Sequence, residues 1–166
     1  PPAPPIASAP IVSNVPPSYL QDPVDVLRVI DGDTIEIRKG ELVTKVRIKG
    51  INTPELHPDP EGSPPEAYAQ AAQTFTFRHI GPQVDLEFNS DCDGETAWDT
   101  CRDSYNRLLA YIRSADGKDF GTKLLARGLA RIYRWPQDNI PNFDRTDTYL
   151  ALEEEAQSNE LGIWGD

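Results

Sequence analysis

The sequence predicts an α+β fold, a five-stranded β-barrel with about three α-helices packed alongside. Two observations support this class. Short stretches of β-branched and apolar residues alternate with glycine- and aspartate-containing turns from residue 24 onward. One segment with helical spacing of its apolar residues then separates the third predicted strand from the fourth, and two more helical segments follow it.

Three antiparallel strands come first. Residues 24–30 are apolar and β-branched and end at the turn Asp31-Gly32-Asp33. Residues 34–38 alternate between inward isoleucines and outward polar side chains. Residues 42–51 form the third predicted strand, which ends at Thr53-Pro54 because proline removes a ladder donor. The close succession of these strands predicts a meander.

The first helix is predicted over residues 66–80, where Gly81-Pro82 stops it. Strands four and five are predicted at 84–88 and 107–113, and helices at 121–127 and 146–158. Residues 129–133 are compatible with a further short strand, which is not counted among the five. Five strands with a helix between the third and fourth indicate a small Greek-key barrel of the OB type. Such barrels bind ligands on their middle strands and the adjoining loops.

The chain divides at about residue 22. Pro1 to Ser18 holds seven of the 16 prolines and no charged residue, which predicts a flexible, proline-rich linker over residues 1–22. Residues 23–166 form the predicted folded domain. Because the chain contains no methionine, we expect its N-terminus to be a processing boundary. A secreted or otherwise extracytoplasmic protein, tethered through the linker, fits this pattern.

Charge and cysteine content narrow the function classes. A net charge of −11 argues against binding nucleic acid over a broad surface. Two cysteines and two separated histidines argue against a closed zinc site. Cys92 and Cys101 would be reduced thiols in a cytosolic protein, whereas in an exported protein we expect them to form a disulfide.

A candidate cation site lies at the strand ends. Asp33 begins the second strand and Asn52 ends the third, so a hairpin would bring them together. Calcium prefers carboxylate, amide and backbone oxygens, which Asp33, Asn52 and the Thr53 carbonyl could supply. Taken alone, however, Asp31-Gly32-Asp33 is more typical of an ordinary turn than of a metal site.

Arginines and a carboxylate nearby suggest phosphate chemistry. Arg47 lies on the third strand and Glu55 follows eight residues later. A guanidinium suits a phosphate and a carboxylate suits an attacking water, although Arg47 alone could be a solvated strand residue. Arg107 follows much later, in Tyr105-Asn106-Arg107-Leu108-Leu109-Ala110-Tyr111.

Three ordered segments together resemble the signature segments of staphylococcal nuclease-type enzymes. They are Ile30-Asp31-Gly32-Asp33-Thr34, Val46-Arg47-Ile48 with Thr53-Pro54-Glu55, and the segment around Arg107. Gly128-Leu129-Ala130 and the closing Leu161-Gly162-Ile163-Trp164 also fit. The resemblance extends over residues 24–164, which is nearly the whole predicted domain.

The resemblance implies a calcium-dependent nuclease that cuts DNA and RNA at the P–O5′ bond and leaves 3′-phosphates. Asp33 and the Thr53 carbonyl would bind Ca²⁺, and Glu55 would activate water. Arg47 and Arg107 would hold the phosphate. By the same resemblance, Tyr105 would contact the substrate phosphate. Tyr133 and Trp135 could stack on a base, although core packing or loop anchoring would explain them equally well.

Asn52 departs from the family pattern, which has an acidic calcium ligand at this position. An amide oxygen can still coordinate, but the loss of one negative charge should weaken calcium binding. We expect either that the enzyme needs more calcium or that Asp31 partly compensates for the lost charge without binding the ion directly.

Two other functions remain open. The same fold could be a catalytically weak or inactive nucleic-acid-binding module, although such modules typically lose the acids and arginines that this chain retains. A plain OB-type oligonucleotide binder would require a basic groove with aromatic residues, which the charge disfavours. We expect single- or double-stranded DNA and RNA as substrates, no stable protein partner and a monomer.

Overall fold

A computed structural model of the chain describes residues 23–92 and 96–165. The predicted linker, residues 1–22, lies outside the described residues. None of the helices in the described part is long and apolar enough to cross a membrane.

The β-strands form a closed barrel, as predicted. Its strands are β1 (Val24–Asp31), β2 (Thr34–Lys39), β3 (Leu42–Ile48), β5 (Gln83–Glu87) and β6 (Leu108–Arg113), arranged in the order β1-β2-β3-β6-β5. Strands β1 to β3 are the predicted antiparallel meander, and β3 pairs in parallel with β6. A separate two-stranded sheet joins β4 (Ile51–Asn52) to β7 (Arg131–Ile132).

Helices cover the barrel as predicted, with one addition. The three longer helices are α1 (Ala69–His79), α3 (Phe120–Ala126) and α4 (Thr146–Ser158). A short helix, α2 (Ala97–Thr100), lies between β5 and β6, where the sequence analysis predicted no helix. Helix α1 begins three residues later than predicted, because Tyr68 before it has a left-handed backbone with φ of 68°. A 3₁₀ turn, Gly162–Trp164, closes the fold.

The third strand is shorter than predicted, and this changes the position of Asn52. Strand β3 ends at Ile48, and the chain then turns at Gly50, which has φ of 84°. A side chain at residue 50 would lie 2.5 Å from the Phe143 ring, so glycine is required there. Asn52 therefore lies on β4, where it pairs with Arg131, and does not end the third strand as we expected.

The core follows the alternation that the sequence predicted. Ile35 and Ile37 from β2 and Val46 and Ile48 from β3 are fully buried in the barrel, and they pack in one cluster with side chains of α3 and α4. Burying a side chain of this size contributes about 1.5–3 kcal/mol. The barrel is thus a rigid support for the turns at its end.

The expected disulfide is present between Cys92 and Cys101. The backbone carbonyl of Cys101 accepts a hydrogen bond from the Leu109 N–H, so the bridge lies next to the start of β6. A loop of this size contributes about 2–3 kcal/mol by the chain-entropy estimate. The disulfide therefore anchors the segment that leads into Arg107.

Candidate active site

One end of the barrel brings together most of the predicted site residues. The β1–β2 turn contributes Asp31 and Asp33, and β3 with the following segment contributes Arg47, Asn52, Thr53 and Glu55. Arg107 and Tyr105 precede β6 and share a cavity of about 740 Å³ with Glu55. The residues come from three separate parts of the sequence, and closure of the barrel makes them neighbours.

Asp33 is more than a turn residue, because its carboxylate is buried and connects two distant segments. Its exposed fraction is 2%. Oδ1 accepts a hydrogen bond from the Thr34 hydroxyl at 2.9 Å, and Oδ2 accepts one from the Thr53 N–H at 2.9 Å. Asp33 thereby fixes the position of Thr53, 20 residues later in the chain.

Helix α1 packs directly on the turn that carries Asp33. The Gly32 carbonyl accepts a hydrogen bond of 2.7 Å from the buried hydroxyl of Thr76 on this helix. A Cβ at position 32 would lie 2.7 Å from Ala72 Cβ and 2.9 Å from Thr53 Cγ2. Only glycine therefore allows the turn, the helix and the Thr53 segment to meet here.

Arg47 is buried, with an exposed fraction of 9%, so the alternative of a solvated strand arginine is wrong. Nη1 donates to the carbonyls of Ile48 at 3.1 Å and Ile51 at 2.8 Å. Nη2 donates to Asn52 Oδ1 at 3.0 Å and lies 3.2 Å from Asp33 Oδ2. The guanidinium thus holds together the turn between β3 and β4, besides facing the site.

Glu55 is partly exposed and stands among other carboxylates. Its backbone is fixed to Glu66, because its N–H donates to Glu66 Oε2 at 2.7 Å and its carbonyl accepts the Glu66 N–H at 2.9 Å. Desolvation, followed by repulsion from Asp33 and Asp31, raises the pKa of Glu55 from 4.5 to about 7. A carboxyl group with this pKa can exchange protons near neutral pH.

Asp31 has a similar but weaker perturbation. Desolvation and the charge of Asp33 raise its pKa, while hydrogen bonds from the Leu56 N–H and with the Glu55 side chain oppose the rise. The Leu56 bond measures 3.2 Å. Asp31 therefore lies within hydrogen-bonding reach of the Glu55 side chain.

The donor chemistry of this cluster fits a hard divalent cation. The pKa values of Asp31 and Glu55 are raised partly by mutual repulsion with Asp33, which a bound cation would relieve. The buried Thr53 Oγ1 has no hydrogen-bond partner among the described residues. Within those residues, however, no three Asp, Glu, His or Cys side chains converge on one metal-sized position. The cation would therefore need backbone, amide and water oxygens as well.

Arg107 is oriented by Asp103, a residue that the sequence analysis did not single out. Arg107 Nε donates to Asp103 Oδ2 at 2.8 Å, and Asp103 Oδ1 accepts the N–H groups of Tyr105 and Arg107 at 3.0 Å each. An aspartate that accepts backbone N–H groups two residues on is typical of tight turns, so the spacing was a usable signal. In the described residues, neither Nη atom of Arg107 has a hydrogen-bond partner.

The aromatic candidates separate into two groups. Tyr105 is 78% exposed and lies 5.2 Å from the Arg107 guanidinium, whereas Tyr133 lies 5.6 Å from that of Arg47. Both tyrosines line a second cavity of about 190 Å³ together with the two arginines. Trp135 is 67% exposed and lines neither of these two cavities. The structure thus brings Tyr133 to the site and leaves Trp135 outside it.

The fold and the site define the class of protein: an OB-type barrel with carboxylates and arginines gathered at one end. Comparison with known proteins gives the family. The family profile described as staphylococcal nuclease homologue matches residues 45–166. The thermonuclease of Staphylococcus intermedius is 38% identical over 145 residues, covering 84% of this chain and 74% of that protein. The chain belongs to the staphylococcal nuclease family, as the motifs predicted.

Two further relatives carry related names. The thermonuclease of Staphylococcus hyicus is 35% identical over 144 residues, covering 84% of this chain and 73% of that protein. The endonuclease YhcR of Bacillus subtilis is 27% identical over 146 residues, which are 84% of this chain but only 11% of that protein. The domain therefore also occurs as a small part of a larger protein.

Proposed function

We propose that this protein is a calcium-dependent nuclease that hydrolyses phosphodiester bonds of DNA and RNA without regard to the sugar. Its family membership and the names of its relatives support nuclease activity. The observation that carries the proposal is the cavity of about 740 Å³ that Glu55 and Arg107 line together. In it, a carboxylate able to accept a proton faces a guanidinium able to hold a phosphate.

The proposed roles follow from the donor and acceptor atoms of each side chain and from the cavity that it lines. Glu55 accepts a proton from the attacking water, because its carboxylate lines the cavity that Arg107 also lines. Arg107 has its Nε held by Asp103 and directs its remaining donors at the phosphate. Arg47, which lines the smaller cavity together with Arg107, contributes a second positive charge for the phosphoryl oxygens, where charge develops.

Calcium is the proposed cofactor, and Asp33, Asn52 and the Thr53 carbonyl are the residues that would hold it. When bound, it supplies positive charge that neutralises and orients the phosphate. Cleavage at the P–O5′ bond with a 3′-phosphate product is the proposed outcome, by resemblance to the family. We also propose that the protein is extracytoplasmic, and the disulfide is the observation that supports this location. We propose further that it is a monomer.

A catalytically weak nucleic-acid-binding module is the alternative. The observation that favours it is Asn52, whose Oδ1 accepts a hydrogen bond from Arg47 and lacks a carboxylate charge. The two functions predict different outcomes when single-stranded DNA is incubated with the protein in calcium: cleavage for the nuclease, and binding without cleavage for the weak module.

The decisive experiment is digestion of single-stranded DNA in Ca²⁺ and then in excess EDTA. We expect fragments with 3′-phosphate ends in calcium and none in EDTA, because the carboxylate cluster alone repels the substrate. Activity that persists in EDTA would contradict the metal mechanism. Binding without cleavage in calcium would establish the weak-module alternative.

Replacing Asn52 with aspartate should lower the calcium concentration needed for half-maximal hydrolysis by about tenfold, because ligand charge raises affinity in oxygen sites. The measurement is a calcium titration of the cleavage rate for both proteins. Asp147→Asn, an exposed change on α4, provides a control that alters charge away from the site. An unchanged calcium requirement in Asn52→Asp would show that Asn52 is not a calcium ligand.

A further inference from the structure

Arg107 lies in a hairpin, residues 101–109, that leads into β6. At its base the Leu109 N–H donates to the Cys101 carbonyl at 2.9 Å, and nearer its tip the Asp103 N–H donates to the Arg107 carbonyl at 2.9 Å. Strand β6 begins only after Arg107. The position of Arg107 therefore depends on what holds this hairpin, which we call the Arg107 hairpin, against the rest of the fold.

Arg102, the second residue of the Arg107 hairpin, donates hydrogen bonds to three separate segments. Nε donates to the Trp98 carbonyl of α2 at 3.0 Å. Nη1 donates to Thr44 Oγ1 on β3 at 2.9 Å and to the Asn106 carbonyl at 2.7 Å. All three acceptors are neutral oxygens, so these bonds fix positions and do not neutralise a charge. The planar guanidinium thereby ties the tip of the hairpin to α2 and to the barrel wall.

The tip of the hairpin is the part that most needs this support. Asn106 directly precedes Arg107 and has φ of 63°, in the left-handed region that residues other than glycine adopt infrequently. Such a conformation persists where the surroundings hold it. Here Arg102 binds the carbonyl of Asn106, and the Asp103 carbonyl accepts its N–H at 3.0 Å. The direction in which the chain enters Arg107 thus depends on Arg102.

Helix α2, to which Arg102 ties the hairpin, is itself packed on the barrel. The Trp98 ring lies edge-on to the buried Phe88 ring, with the centroids 5.9 Å apart, and Lys39 Nζ lies 4.3 Å from the Trp98 ring centroid. Cys101 follows the helix directly and is joined to Cys92. Arg102 therefore connects the Arg107 hairpin to a support that is fixed at both ends.

Arg102 acts at a distance from the phosphate. Among the described residues, it is absent from the lining of both cavities beside Arg107. Asp103 orients the side chain of Arg107 by accepting its Nε–H, whereas Arg102 holds the backbone from which that side chain projects. The two residues therefore fix different parts of the same catalytic arginine.

We propose that Arg102 is a positioning residue for hydrolysis, because it holds the Arg107 hairpin where the Arg107 guanidinium meets the phosphate in the transition state. The inference rests on the proposed function and adds to it a residue outside both cavities. A residue of this kind changes the rate of the reaction through Arg107 and has no contact of its own with the substrate.

Steady-state hydrolysis of single-stranded DNA in calcium tests the proposal, at a temperature where circular dichroism shows every variant to be folded. Arg102→Gln should lower kcat by about ten- to hundredfold, because a small displacement of a catalytic group is costly. KM should change by less than about threefold, since the positioned donor acts mainly on charge that develops in the transition state.

Arg113→Gln is the matched control, because this arginine ends β6 and its Nη2 lies 3.1 Å from Glu87. We expect it to leave kcat unchanged. Thr44→Val removes one acceptor of Arg102 and should lower kcat by about two- to tenfold. Combined with Arg102→Gln it should add little, because both changes remove the same hydrogen bond.

Three results would each overturn the proposal: an equal fall in kcat in Arg113→Gln, an unchanged kcat in folded Arg102→Gln, or fully multiplicative effects in the double variant. If Arg102→Gln does not fold, Thr44→Val decides alone, and an unchanged kcat in this variant overturns the proposal.

Hydrogen exchange of single amides in EDTA measures the hairpin without catalysis. Arg102→Gln should accelerate exchange at Asp103 and Asn106 by about tenfold, because the hairpin opens locally more often. The Val26 N–H, which donates to the Pro82 carbonyl at 2.9 Å in the barrel, should exchange at the wild-type rate. Equal acceleration at Val26 would show general destabilisation and would contradict a positioning role.

The two measurements separate this inference from the proposed function. A wild-type protein that does not cleave DNA in calcium would reject the nuclease, while faster exchange confined to the hairpin would still show that Arg102 holds Arg107 in place. Cleavage by the wild type, with unchanged kcat and unchanged hairpin exchange in Arg102→Gln, would retain the nuclease and reject the positioning residue.

Discussion

Glu55→Gln should lower the rate of DNA hydrolysis in calcium by about 10²- to 10⁴-fold, the usual contribution of a general base. Glutamine keeps the size of the side chain but cannot accept a proton from water. The measurement is the single-turnover cleavage rate of single-stranded DNA, so that binding and chemistry are separated. Glu154→Gln, on the exposed face of α4, is the control and should retain the wild-type rate.

The same variant should also change how stability depends on pH. The folded-state pKa of Glu55 is about 7, above its ordinary 4.5. The folded protein therefore binds this proton more tightly, and the resulting stability is present below about pH 4.5 and lost as pH rises through about 7. In EDTA, Glu55→Gln should melt higher than wild type at pH 8 and equally at pH 4.5.

A wild-type cleavage rate in Glu55→Gln would show that Glu55 is not the general base. Equal melting temperatures for the two proteins at pH 8 would show instead that neither desolvation nor the neighbouring carboxylates raise the pKa of Glu55 in the folded protein. The two results are independent, since one measures the reaction and the other measures the folded protein alone.

Arg47→Met and Arg107→Met should both lower hydrolysis by about 10²- to 10³-fold, because each removes a charge that stabilises the transition state. Their effects on folding should differ. Loss of the buried Arg47 leaves Asp33 without its ion-pair partner and two backbone carbonyls without a donor, which should cost about 3–5 kcal/mol. Loss of the more exposed Arg107 should cost at most about 1 kcal/mol.

Urea denaturation of both variants measures this difference, and cleavage assays at a temperature where both are folded measure the activity. Arg47→Lys keeps the charge but not the forked donors, so it should recover only part of the stability. Equal stabilities for Arg47→Met and Arg107→Met would contradict the structural role of Arg47. Wild-type activity in either methionine variant would contradict its role with phosphate.

Much of the fold could be predicted because its signals are local. Alternation of Ile35 and Ile37 identified a strand, and Gly81-Pro82 correctly ended a helix near residue 80. The main error was at the third strand. Gly50 looked like an ordinary strand residue, and its left-handed turn is required by the Phe143 ring, 93 positions away in sequence.

The site could be predicted as a set of residues but not as an arrangement. Motif order identified Asp33, Arg47, Glu55 and Arg107. Asp103 was missed because its function is to orient another side chain. Tyr133 and Trp135 were both candidates for stacking on a base, and of this pair the structure places Tyr133 at the cavity.

The sequence by itself determined the barrel, the family and the residue types that reach the site, because periodicity and motif order are properties of the chain alone. Only the tertiary structure decided that Arg47 is buried against Asp33 and Asn52, that Glu55 stands among carboxylates that raise its pKa, and that Tyr133 lines a cavity with Arg107. The physical reason is that burial, repulsion and charge pairing depend on distances between segments, which closure of the barrel sets.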